Sequence, residues 1–287
     1  METFFSFLER RVDDCSSLLC IGLDPHVNDL TAPTAASARD FCLTLIKQTA
    51  PYAAAFKPNA AFFEVFGAEG WTALREVIEA VQEESNRRGS LIPVILDAKR
   101  GDIASTAEAY ARAAFETLGA HCITLSPYLG KDSIEPFLQV PEKGVFLLCK
   151  TSNPGSGDLQ DLRVDGGQWT EGMQSMANGA RSMPLYEHVA RLAQAWNTRN
   201  NIGLVVGATH VEALKRVRVA APDLWFLAPG VGAQGGELES TLKAGLRRDG
   251  KGMLIPVSRS VARAEKPGLA AAELRDQILE IKREMKV

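Results

Sequence analysis

The sequence predicts an α/β fold, a single (β/α)8 TIM barrel over residues 1–287, with an N-terminal helix and a long loop after the fifth strand. Three observations point there. Eight short apolar runs carry no polar alternation, as strands do when helices cover both of their faces. Helix-period segments lie between them. The runs end near residues 24, 57, 99, 126, 150, 208, 230 and 258, a spacing that fits one strand and one helix per unit except between 150 and 208. A doubly wound sheet of two nucleotide-binding halves is the competitor, and it would usually show six strands.

Taken in order, Met1 to Asp14 mixes Phe with charged residues and reads as an amphipathic helix without a signal-peptide core. The predicted strands are Leu18–Leu23, Ala53–Phe56, Leu91–Leu96, Ala120–Leu125, Gly144–Cys149, Ile202–Gly207, Leu224–Ala228 and Gly252–Val257. The predicted helices are Ala35–Ala50, Trp71–Ser85, Ile103–Leu118, Pro184–Asn197 and Ala270–Met285. The long interval falls in Asn153–Met183, rich in Gly, Asp, Gln and Asn. Loops of that length inside a compact domain are usually functional.

Composition narrows the class. With 46% hydrophobic residues, 23% charged residues and a mean hydropathy of −0.06, the chain reads as an ordinary globular protein rather than a disordered or collagenous one. No apolar run reaches the roughly 18 residues of a membrane helix. Lys and Arg number 32 against 35 Asp and Glu, a net charge of −3 with no basic tract, which predicts neither nucleic-acid nor membrane partners. The five cysteines, Cys15, Cys20, Cys42, Cys122 and Cys149, are scattered and contain no Cys-x-x-Cys pair. They read as buried free thiols in a reducing, cytoplasmic setting.

In a barrel the chemistry sits where strands end. The third run passes directly into Asp97-Ala98-Lys99-Arg100-Gly101-Asp102, the second into Lys57-Pro58-Asn59, and the first into Asp24. Two residues apart on a strand, Asp97 and Lys99 leave the same face. Lysines and carboxylates gathered in a partly buried mouth must pair. A salt-bridge network closing the barrel is the bland alternative. Carboxylates around a lysine keep it protonated, which suits a positioned cation and general acid rather than a Schiff-base nucleophile.

The seventh run ends in Pro229-Gly230-Val231-Gly232-Ala233-Gln234-Gly235-Gly236, and the eighth in Ser258-Arg259-Ser260. The literal Gly-x-Gly-x-x-Gly is a weak dinucleotide signal, because no acidic residue closes the next strand. Barrels commonly bind phosphate at these two loops. A glycine-rich loop with Gln234 and a bidentate Arg259 fits a phosphomonoester, against the alternative of a tight turn and a surface arginine. Lys150-Thr151 lacks the glycine a P-loop lysine needs before it, but Thr151 and Ser152 bring hydroxyls to the fifth mouth. The four histidines show no metal-ligand spacing, whereas the mouth carboxylates leave a Mg²⁺ site open as a competing reading.

Together, Phe56-Lys57-Pro58-Asn59, the Asp97-x-Lys99-x-x-Asp102 motif, the Pro229–Gly236 loop and Ser258-Arg259-Ser260 resemble orotidine 5′-phosphate decarboxylase, above all its longer bacterial branch. The resemblance runs from Asp24 to Arg259. It implies a homodimeric barrel that converts orotidylate to UMP and CO2 in pyrimidine biosynthesis, without metal or organic cofactor. It also implies that Lys57, Asp97, Lys99 and Asp102 form an alternating charged tetrad. Lys99 would protonate C6 and Asp97 would lie against the substrate carboxylate, while Lys57 and Asp102 hold the array and contact the ribose. Asp102 and Thr106 would be lent to the partner's site. Asp24 would bind a ribose hydroxyl with Asn59 beside it, Ser152 the pyrimidine edge with Thr151 adjacent, and Gln234 and Arg259 the phosphate. Shorter members have Gly where Ser258 stands and a shorter equivalent of Gly155–Met183. Sister enzymes that use a metal resemble the same Asp-x-Lys-x-x-Asp but carry an acidic ligand in place of Lys57. A non-catalytic nucleotide-binding barrel would tolerate loss of a tetrad member, and all four are present.

Overall fold

The computed structural model describes residues 2–165, 182–231 and 237–286. Eight parallel strands, β1 (Leu19–Leu23), β2 (Ala55–Pro58), β3 (Ile95–Arg100), β4 (Cys122–Leu125), β5 (Gly144–Lys150), β6 (Ile202–Val206), β7 (Phe226–Leu227) and β8 (Met253–Val257), form one sheet. Their order is β2-β1-β8-β7-β6-β5-β4-β3. Two isolated parallel bridges, Phe56↔Val94 and Asn59↔Asp97, join β2 to β3 and close the barrel. Every predicted run supplies a strand. The apolar pattern starts at least two residues early in four of them: Leu91–Val94 precedes β3, Ala53 and Ala54 precede β2, Ala120 and His121 precede β4, and Leu224 and Trp225 precede β7.

Around the sheet lie α1 (Phe4–Cys15), α2 (Ala35–Thr49), α3 (Gly67–Arg88), α4 (Ala104–Arg112), α5 (Leu185–Trp196), α6 (Val211–Ala220), α7 (Leu238–Gly245) and α8 (Pro267–Met285). Between β4 and β5 the described crossover holds a 3-10 turn at Glu135–Leu138 instead of an α-helix. The predicted helix Ile103–Leu118 forms as α4 continued by one wider π-turn, Ala113–Thr117. In the long segment after β5, Arg163–Val164 pairs antiparallel with Met183–Pro184, and residues 166–181 lie outside the described residues.

α1 is the plug of the barrel floor. Thr3 caps it, its hydroxyl accepting the Ser6 N–H at 3.2 Å. The helix buries Phe4, Phe5, Phe7, Leu8 and Val12. The Phe5 ring meets Phe146 edge-on at 5.6 Å and stacks on Trp225 at 6.2 Å. Gly144 opens β5 where Phe4 packs: a Cβ there would lie 2.4 Å from the Phe4 ring. Arg11 is buried and gives its N–H groups to the carbonyls of Ala50 and Ala53 and to the Ser90 hydroxyl. All five cysteines are buried free thiols, as expected. No described helix is long and apolar enough to cross a membrane.

Candidate active site

At the opposite end, β2 and β3 deliver their charges to one point. Lys57 Nζ donates to Asp97 Oδ2 at 3.0 Å, and Lys99 Nζ donates to Asp97 Oδ1 at 2.6 Å. Lys57 and Asp97 are buried, whereas half of the Lys99 side chain is open. Burial pulls the Lys57 pKa down, but the carboxylates of Asp24 and Asp97 outweigh it and leave the ammonium above its ordinary value. Burial pushes the Asp97 carboxyl up, and Lys57 and Lys99 overcome that to hold it well below the usual range. Both groups are therefore fixed in their charged forms at neutral pH.

Strand alternation is not what brings Asp97 and Lys99 together. β3 pairs with β4 at Leu96↔Ile123 and next at Arg100↔Leu125, so β3 carries extra residues in a bulge. Within it Lys99 has φ +48°, a left-handed conformation rare for a side chain with a Cβ. One hydroxyl gathers this bulge. Thr124 Oγ1 accepts the N–H groups of Ala98 at 3.1 Å and Lys99 at 2.9 Å, and donates to Asp97 Oδ1 at 2.9 Å. The sequence reading passed over Thr124, because a β-branched residue inside an apolar run looks like any strand former. The signal was present: a buried hydroxyl requires a partner.

Two adjoining lobes open above the ion pair. One, of 450 Å³, is lined by Lys99, Thr124, Thr151, Ser152 and the apolar side chains of Leu148, Val205 and Leu227. The other, of 390 Å³, is lined by Asp24, His26, Asn59, Ser258 and Arg259 among others. Lys57, Asp97, Pro229 and Pro256 line both. Ser152 Oγ donates to the Pro229 carbonyl at 3.3 Å. That position exists because residue 207 is glycine, where a Cβ would lie 2.2 Å from the Ser152 hydroxyl. Thr151 is tied to Gln160, whose side-chain oxygen accepts its N–H at 2.9 Å. Lys150 is buried below them and binds Asp161 at 2.8 Å and Ser156 at 3.1 Å, which anchors the start of the long segment.

In the second lobe Asp24 Oδ1 is buried with no hydrogen-bond partner among the described residues, an acceptor awaiting a donor. Asn59 Oδ1 accepts the Ala61 N–H at 3.1 Å. The exposed Arg259 guanidinium has no partner among the described residues, which leaves it open to an anion. Gly22 allows Ser258 to approach, since a Cβ there would lie 2.8 Å from that of Ser258. Gln234 lies outside the described residues. Asp102 and Thr106 line neither lobe: Asp102 Oδ1 accepts the Ile103 N–H at 2.8 Å, and Thr106 is exposed on α4. The chain thus brings Lys57, Asp97 and Lys99 together and leaves the fourth charge of the motif outside the lining of its own cavity.

The model of the orotidine 5′-phosphate decarboxylase / HUMPS family matches residues 17–274. The orotidine 5′-phosphate decarboxylase of Roseiflexus castenholzii is 47% identical over 286 residues, covering 96% of this chain and 97% of that one. The OMP decarboxylase structure from Leishmania donovani superposes with a TM-score of 0.83 at 54% identity, covering 98% of this chain and 99% of the other. The UMP synthase structure from the same organism gives 0.85 at 55% identity, with 98% of this chain matching 57% of that longer one.

Proposed function

The chain belongs to the orotidine 5′-phosphate decarboxylase / HUMPS family, and from that premise we propose that it decarboxylates orotidine 5′-phosphate to UMP without a metal ion, Lys99 supplying the proton. The activity class is that of a carboxy-lyase. The observation that carries the finer reading is the Lys57–Asp97–Lys99 array at the junction of an apolar-walled lobe with one holding an open carboxylate and an open guanidinium.

In this reading the pyrimidine lies in the first lobe with its edge toward Thr151 and Ser152. The ribose reaches Asp24 and Asn59, and the phosphate reaches Arg259 and Gln234. The C6–carboxylate bond breaks, its electron pair stays on C6, and CO2 departs. The Lys99 ammonium delivers its proton to C6 and takes another from solvent. Charge builds in the ring plane with little delocalisation, so the barrier falls through a cation already in place. Asp97, ionised throughout, faces the departing carboxylate and holds both lysines, while the remote phosphate grip supplies binding energy that orients the ring. Lys57 stands where sister enzymes of this superfamily keep an acidic metal ligand, and a lysine repels Mg²⁺ there.

Residues 1–287 act as one barrel domain in the cytoplasm, as a homodimer in which Asp102 and Thr106 complete the partner's site. Orotidylate turnover measured with and without EDTA tests the reading. Full activity in chelator is expected. An absolute Mg²⁺ requirement, or UMP binding with no turnover, overturns it.

A further inference from the structure

We infer that Thr124 is a positioning residue for the decarboxylation, a buried hydroxyl that sets the β3 bulge and thereby aims both Asp97 and Lys99. It rests on the activity proposed above and assigns a part to a residue outside the charged motif. The Thr124 side chain, 1% exposed, stands on β4 and faces the 450 Å³ lobe. A threonine hydroxyl has one proton and two lone pairs. Here the proton goes to Asp97 Oδ1 and the oxygen takes the Ala98 and Lys99 N–H groups, so its hydrogen-bonding capacity is fully used.

Those bonds bear on the least favourable backbone of the site. Lys99 at φ +48° persists only if its surroundings over-determine it. Its own N–H is one of the two that Thr124 holds. Just beyond, Arg100 accepts the Ser126 N–H on its carbonyl at 2.8 Å, binds Glu64, and lies over the Tyr110 ring at 5.2 Å. The exit of the bulge is thus fixed by Arg100 and its centre by Thr124. Without the hydroxyl, two part-buried N–H groups lose their acceptor and Asp97 Oδ1 keeps only Lys99. The regular strand path then competes with the bulge, and the Lys99 ammonium moves off its line to the reacting carbon. Displacement on the ångström scale costs roughly a hundredfold in rate.

The role predicts a particular kinetic signature. Phosphate and ribose groups lie in the other lobe, so their grip survives loss of the hydroxyl. Thr124→Val keeps the shape and removes the hydroxyl, whereas Thr124→Ser keeps the hydroxyl and removes a methyl. The wild type, Thr124→Val and Thr124→Ser are compared for kcat and KM with orotidylate, UMP affinity, and amide hydrogen exchange of the peptide spanning 97–102. For Thr124→Val the expectation is a fall in kcat of about ten- to a hundredfold. KM and UMP affinity should stay within about threefold, and exchange at residues 98 and 99 should accelerate. Thr124→Ser should recover kcat to within about threefold of wild type. Wild-type kcat in Thr124→Val overturns the inference, as does a Thr124→Ser protein as slow as Thr124→Val, or a Thr124→Val defect shared equally by kcat and UMP affinity. An inactive wild type would instead overturn the decarboxylase reading itself.

Discussion

The two ends of the barrel handle buried polarity in opposite ways. At the floor, buried cations are spent on backbone. Arg11 satisfies the carbonyls of Ala50 and Ala53, and Arg218 gives N–H groups to Gly245, Ala221, Leu224 and Gly252 while stacking 3.6 Å from the Phe226 ring. Rings fill the rest. At the mouth, Asp24 Oδ1 has no donor among the described residues, Arg259 is exposed, and Lys99 holds a left-handed backbone. The orphan Asp24 oxygen and the left-handed Lys99 backbone adjoin the two lobes, whereas the left-handed residues of the floor, Ser16 and Asn200, lie in the loops that enter β1 and β6.

This division can be broken by mutation, beginning with the largest effect. Lys99→Ala and Asp102→Ala proteins should each lose about a thousandfold or more in kcat, with melting temperatures near wild type. Mixing the two after subunit exchange should restore up to about a quarter of wild-type activity, since half the dimers are hybrids with one intact site. No recovery would mean that Asp102 serves its own chain and that the mouth is complete within one protomer. At the other end, Phe5→Ala should cost about 3–5 kcal/mol of stability, read by denaturant unfolding, with kcat of the folded protein within about twofold. A kcat loss comparable to that of Lys99→Ala would show that the ends are not independent.

The smallest effect separates them by pH. His121, at the floor, accepts the Val94 N–H on Nδ1 at 3.2 Å, and burial, assisted by Lys143, lowers its pKa to about 4. Unfolded histidine titrates near 6.5. As pH falls from there toward 4 the unfolded chain takes up the proton first, so up to about 3 kcal/mol of stability drains away across that window. Asp97 loses its contribution in the same direction but in a lower window, because its depressed pKa leaves it ionised in the folded chain until stronger acid. Unfolding curves at pH 7 and 4.5 should show the loss in wild type and a smaller loss in His121→Asn. Equal losses would move the acid sensitivity away from the floor.

Much of this contrast was legible in the residues. Strands covered on both faces must be apolar at every position, so eight unbroken runs announced the barrel. Charges placed directly after such runs, as in Asp97 and Lys99, announced the mouth. What escaped depended on local geometry. The short helices Val211–Ala220 and Leu238–Gly245 offer too few turns for their period to stand out. Leu224 and Trp225 are as apolar as a strand but precede it, with the Trp225 carbonyl alone accepting the Leu204 N–H at 2.8 Å. No side-chain pattern encodes the left-handed φ at Lys99, and Thr124 is recognised only once its partners are in place.

The staves of this barrel are unevenly glued. β5 and β6 are matched at five positions, from Val145↔Ile202 to Lys150↔Val206, whereas β2 and β3 are bridged at Phe56↔Val94 and Asn59↔Asp97, as few as the two pairs that join β7 to each neighbour. The Lys57–Asp97 pair straddles that sparse seam and serves as its rivet. The charges of the candidate site therefore double as the fastening of the joint on which they sit. Separation of β2 from β3 along this seam would part Lys57 from Asp97, and a ligand that binds both residues would hold the joint.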